Sequence, residues 1–165
     1  MAEVMHDAIM QLTGVPTQFT SDRSNIPNAV GEKYPFGLRA VQLPDTQTDS
    51  YFLQAFGRPD REKTCECERT SEPSVTQVLN LSNGDTINKK LEAKNGRISQ
   101  LLAEKVPDQR IVNDLYLAAL SRPPTPVEKE KIIQTLAAAG KDDRRVAMED
   151  VYWAVLSSKE FLFDH

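Results

Sequence analysis

Residues 121–131, SRPPTPVEKEK, constrain the fold of this chain more than any other stretch. Pro123 and Pro124 lack the N–H that a helix needs and clash with the preceding turn, so a helix must end before them. Thr125 then offers a hydroxyl acceptor, Pro126 takes the first helical position, and Glu128 falls three residues after the threonine. That is a capping box with its proline in the permitted place. It predicts a new helix from Pro126 to about Ala139, stopped at Gly140. So short a connection makes the two helices antiparallel neighbours.

The same reading extends over residues 73–165. Val75, Val78 and Leu79 share a helical face that ends at Asn83-Gly84, and Asp85 can cap a helix over 86–93. Ile98, Leu101 and Leu102 mark another helix. Pro107-Asp108 opens the next, whose Ile111, Val112, Leu115, Leu117, Ala118 and Ala119 predict burial on more than one side. Asp142 and Asp143 stand where a helix start favours acids. Over 142–157, Val146, Met148, Val151, Tyr152, Val155 and Leu156 face inward, with Trp153 at the rim. Ser158 caps a last turn that buries Phe161 and Leu162.

The N-terminal part has a different texture. Ala2, Val4, Met5, Ala8, Ile9 and Leu12 recur at helical spacing before Gly14 and Pro16. Prolines and glycines then punctuate residues 14–46 as loop. Within them LRAVQL (38–43) alternates enough for one short strand. TDSYFLQAFG (48–57) fits a short helix ending at Gly57. The expected fold class is mainly α. A small helical bundle covers 73–165, a loop-rich layer covers 14–72, and there is at most one short strand. These parts form one domain of 165 residues or the C-terminal fragment of a larger one.

Charge narrows the function classes. The chain has 20 Lys and Arg against 24 Asp and Glu, a formal charge of -4. The basic residues are scattered, and the densest group, Arg58, Arg61, Lys63 and Arg69, is interleaved with Asp60, Glu62, Glu66, Glu68 and Glu72. A nucleic-acid partner needs a clustered basic face, so none is expected. No apolar run approaches the about 18–20 residues of a membrane span. The opening residues are not a signal peptide, because Glu3, His6 and Asp7 interrupt any apolar region. A chain that opens in mid-helix is expected to be a piece of a longer protein.

The stretch TCECERTSEP (64–73) carries both cysteines. On an extended backbone Cys65 and Cys67 would have Cα atoms about 6.5–7 Å apart, at the upper edge of disulfide geometry. A structural zinc site needs about four ligands, and the two histidines, His6 and His165, sit at the chain ends. Packed thiols, a strained redox pair and a metal joint shared with another domain all remain open, with metal the weakest. The spacing excludes covalent haem attachment. Arg58, Arg61 and Arg69 allow two readings. They frame an anion or sugar site in which Glu66 or Glu68 supplies acid–base chemistry, or they form an ion-paired loop. A cleft with a carboxylate of raised pKa would mark the enzyme, and arginines locked in salt bridges to buried backbone would mark the scaffold. No catalytic triad or glycine-rich phosphate loop is present.

Three separated segments, LRAVQLPD with SYFLQAFGRPDREKTCECERTSEPSVTQVLNLSNGDTINKKL, LYLAALSRPPTPVEKEK, and SSKEFLFDH, resemble one family over nearly the whole chain. It is a C-terminal domain of unknown function in large planctomycete proteins, often found alongside a cytochrome-c-like domain. The resemblance implies an exported multidomain protein with this region last, in the periplasm or cell envelope, and upstream domains of the same polypeptide as partners. Haem then belongs to a separate upstream domain, and no cofactor is expected in this chain. No catalytic set comes with the family. What it carries is a motif: Phe56, Gly57, Arg58, Pro59, Arg61, Cys65, Cys67, Glu68 and Arg69, then Gln77, Asn80, Asn83 and Gly84. The expected role is a non-catalytic structural or interaction module, and the alternative is an enzyme acting through residues 57–72.

Overall fold

A computed structural model describes residues 2–21, 31–44, 48–58, 85–140 and 142–163. It is mainly helical. Its backbone contacts divide into two units: Met1–Met10 with Pro16–Gly84, and Gln11–Val15 with Asp85–His165. Helix α1, Ala2–Thr13, contributes its first turns to one unit and its last residues to the other.

In the first unit α1 buries Met5, His6, Asp7 and Ile9. Two of the three polar residues that interrupt the apolar run, His6 and Asp7, are therefore interior, and Glu3 is half-buried. The His6 ring lies 5.1 Å from Phe19 and 5.3 Å from Phe52, and Phe52 stacks on Phe56 at 4.4 Å. Val4, expected on the apolar face, is exposed. Short irregular segments are joined by two isolated antiparallel bridges, Thr20 with Lys33 and Ser21 with Thr48. Gly31 passes so close to Ser21 that a Cβ there would stand 2.2 Å from the Ser21 carbonyl oxygen, so only glycine fits.

The strand expected over 38–43 is not formed. Ala40–Gln42 is a single 3-10 turn. Its free N–H groups are taken by a side chain from α1: Ala40 N donates to Asp7 Oδ1 at 2.6 Å and Val41 N to Asp7 Oδ2 at 3.2 Å. The threefold period turns Ala40 and Leu43 inward and leaves Val41 exposed. Helix α2, Tyr51–Ala55, is shorter than the expected 48–57, because Ser50 caps it by accepting from Leu53 N. It ends in a Schellman motif. Gly57 has φ 85, its N–H reaches Gln54 O at 3.1 Å, and Arg58 N reaches Leu53 O at 2.8 Å.

The second unit is a helical bundle of α3 Asp85–Leu91, α4 Arg97–Ala103, α5 Asp108–Leu120, α6 Pro126–Ala138, α7 Arg144–Leu156 and α8 Lys159–Phe163. Helix α7 is the hub, packing against α3, α4, α5, α6 and α8. Its Met148, Tyr152 and Leu156 are among the most buried side chains of the chain. Helix α5 buries Ile111, Val112, Leu115, Tyr116 and Ala119 as one stripe. Leu117 and Ala118 lie on its opposite face and are exposed, so burial on more than one side does not occur. Val146, expected inward, is also exposed: it precedes Met148 by two residues, roughly 200° around the helix.

The capping box forms as expected, with Glu128 N donating to Thr125 Oγ1 at 3.3 Å and Thr125 N to Glu128 Oε2 at 2.7 Å. At the far end of α6 the chain leaves through an extended Ala139 (φ -69, ψ 120), one residue ahead of Gly140. Ser158 caps α8, its hydroxyl accepting from Phe161 N at 3.2 Å, and Phe161 is fully buried.

Candidate functional site

Of the motif residues, Phe56, Gly57 and Arg58 fall among the described residues. Arg61, Cys65, Cys67, Glu68, Arg69, Gln77 and Asn80 lie outside them, as do Pro59, Asn83, Gly84 and the helix expected from Pro73. The Schellman turn after α2 aims Arg58 at the main chain, where its Nη2 donates to Pro44 O at 2.9 Å. The described histidine, His6, is an interior residue whose Nε2 lies 3.3 Å from Thr17 Oγ1. Among the described residues no group of three or more His, Cys, Asp or Glu side chains is placed to hold a metal ion. No described helix is long and apolar enough to cross a membrane.

The second unit holds a polar constellation that sequence reasoning missed. Arg122 follows the left-handed Ser121 (φ 54) that ends α5. Its Nε donates to Glu160 Oε1 at 2.5 Å and its Nη2 to Glu160 Oε2 at 2.7 Å. Its two terminal nitrogens also reach Glu128, at 3.0 and 2.9 Å, and Nη1 reaches Pro123 O at 3.2 Å. Five N–H groups thus meet five acceptors, the full donor capacity of a guanidinium. The same group stands 5.4 Å over the Tyr116 ring. One side chain therefore fastens the end of α5, the start of α6 and the start of α8.

The electrostatics follow from that geometry. The Arg122 hydrogen bonds hold Glu128 down at about 2, and they lower Glu160 as well. Burial and the Glu128 carboxylate push the Tyr116 phenol up. A carboxylate depressed in the folded state stabilises it above the ordinary carboxylate pKa, and that contribution is lost as pH falls through the folded value. Arg122→Gln should therefore return Glu128 toward 4.5 from about 2 in a carboxyl-carbon NMR titration. It should also move acid unfolding to higher pH. An unchanged Glu128 titration would show that the fork does not set it.

Two further ties start from the head of α7. Arg144 pairs with Asp108 at the start of α5. Arg145 donates to Ser99 Oγ at 2.9 Å and to Glu92 O at 3.0 Å, and it also pairs with Glu149. The acids expected in the first turn of this helix stand ahead of it instead. Asp143 is at the cap without a side-chain hydrogen bond, and the arginines occupy the first turn. Their cost at a helix N-terminus is offset by partners on neighbouring helices. Lys90 on α3 is 7% exposed and donates to Val15 O at 2.6 Å, and burial lowers its pKa to about 8.

Beside the Arg122 fork, α5, α6, α7 and the start of α8 line an open cleft of about 400 Å3. Leu120, Ile132, Val151 and Val155 give it an apolar wall, and Lys131 and Asp150 stand at its rim.

Residues 1–136 match the model of the PSD1 family, described as a protein of unknown function (DUF1553). Neither the curated proteins nor the solved structures give a match. Helices α7 and α8 follow the matched region. With its matched residues running from α1 through most of α6, the chain belongs to the PSD1 (DUF1553) family of proteins of unknown function.

Proposed function

We propose that this chain is a non-catalytic structural or interaction module, the last part of a larger exported multidomain protein, and that it packs against and positions a domain preceding it. The observation that carries the reading is the bond from Arg58 Nη2 to Pro44 O. Arg58 is the described member of the arginine set that an enzyme would use to hold its substrate; its Nη2 serves the main chain, and its Nη1 is buried without a partner among the described residues. Three other polar side chains also serve the main chain. Asp7 binds the N–H groups of a turn, Lys90 binds the Val15 carbonyl just after α1, and Arg145 binds carbonyls between α3 and α4. Among the described residues the carboxylates with shifted ionisation, Glu128 and Glu160, move downward, opposite to what a general acid needs; Glu66 and Glu68 lie outside those residues. The setting in an exported protein, with haem confined to a separate domain where it occurs, rests on the family resemblance.

Hydrogen–deuterium exchange tests the proposal on the chain alone and on the polypeptide that carries it with its neighbouring domains. The expected result is slowed exchange over one contiguous surface patch in the longer polypeptide. Identical exchange in both would overturn the docking role. Turnover of chromogenic glycosides or of phosphate or sulfate esters by the isolated chain, lost in Arg58→Ala, would establish the enzyme in its place.

A further inference from the structure

The pocket among α5, α6 and α7 has the size of a ligand site, since such clefts measure roughly 300–1,000 Å3 and this one about 400 Å3. Its wall is apolar, so the body of an occupant gains by leaving water. Its charged groups are unequal in their commitments. Glu128 and Glu160 are held by Arg122. Asp150 forms no ion pair among the described residues and is exposed at the rim. Lys131 is the one cation among the lining residues. Three carboxylates against Arg122 and Lys131 leave one negative charge in surplus, and Asp150 is the carboxylate free to express it. The Tyr116 hydroxyl makes no hydrogen bond to a described residue and, with its pKa raised, stays protonated as a donor. An apolar cavity with a spare carboxylate at its mouth complements an apolar body with a positive end.

We propose that this pocket binds a small amphipathic amine, with the apolar body on Leu120, Ile132, Val151 and Val155 and the ammonium at Asp150. This is independent of the docking role above, because it concerns a cavity inside the second unit and needs no neighbouring domain.

The test is titration of the full chain with hexylammonium, hexanol and hexanoate, followed by calorimetry and amide NMR. Hexylammonium should bind saturably, about tenfold tighter than hexanol, with hexanoate weakest and the preference shrinking at high salt. Asp150→Asn should weaken hexylammonium about five- to tenfold and leave hexanol unchanged, whereas Lys131→Met should strengthen hexylammonium about two- to threefold. Both positions are exposed, so these variants keep the fold. Ala154→Phe, from an exposed lining position, should fill the pocket and abolish binding of all three probes. No saturable hexylammonium binding, equal affinity for amine and alcohol, or binding untouched by Ala154→Phe would each overturn the assignment. Binding of an amphipathic Leu/Lys peptide where the amine fails would also overturn it, in favour of a protein partner.

Discussion

Asp7→Ala should destabilise the first unit by about 3 kcal/mol, which is large for a single polar side chain. The carboxylate is 7% exposed, accepts from Ala40 N at 2.6 Å and Val41 N at 3.2 Å, and faces Arg39 Nε at 3.4 Å. Alanine leaves the buried Ala40 N–H without its acceptor, and the desolvation of that donor is then uncompensated. The turn is also closed by Gln42 N to Arg39 O at 2.9 Å and by Arg39 N to Gln42 Oε1 at 3.1 Å, but neither bond takes the N–H of Ala40 or Val41. Asp7→Asn keeps one acceptor but turns an NH2 toward the second donor, so it should recover less than half of the loss. Urea unfolding combined with amide exchange at Ala40 and Val41 measures both variants. A loss under about 1 kcal/mol for Asp7→Ala would mean that the turn holds its shape without α1.

Stability should rise by about 2 kcal/mol between pH 8 and pH 10.5 through Lys90 alone, and Lys90→Met should remove that rise. The folded pKa, about 8, lies below the unfolded value, so the unfolded chain binds more protons across this window. Below pH 8 the buried ammonium imposes its full cost; above it the folded amine is neutral, and the remaining cost of its deprotonation shrinks as pH approaches 10.5. Methionine has a similar reach and no charge. It should match or exceed wild-type stability at pH 7 by up to about 1 kcal/mol, because an apolar substitute avoids the desolvation of the ion. Chemical denaturation of both proteins at pH 7, 8.5 and 10 isolates the effect, since Tyr116 and Tyr152 titrate alike in the two. Parallel pH profiles would place the Lys90 ammonium in contact with water.

The sequence showed those parts of the fold that neighbouring residues decide. Thr125 to Glu128 is a reciprocal contact within one turn, and Ser158 caps its own helix, so spacing alone reveals both. The segment 38–43 depends on Asp7, 33 residues earlier, and a weak alternation could not show that an acid on another helix would seize its N–H groups. The Arg122 fork escaped for the same reason. Glu128 was visible as a cap, but Glu160 lies 38 residues beyond Arg122, and both look like ordinary surface charges until α8 folds back. Burial of α1 was only partly legible through residue type, since a face counted from apolar residues leaves out His6 and Asp7, which are buried, and includes Val4, which is exposed.

The hub position of α7 bears on where a self-sufficient piece of this protein can be cut. The stretch recognisable as family ends at residue 136, whereas the helix that every other helix of the bundle leans on begins at Arg144. Trimming the gene to the recognisable part would take away the keystone and the Glu160 clasp together, removing the helix that packs against α3, α4, α5 and α6. Shared ancestry and mechanical independence thus have different borders in this protein, and any shortened version meant to stay folded must run through Phe161.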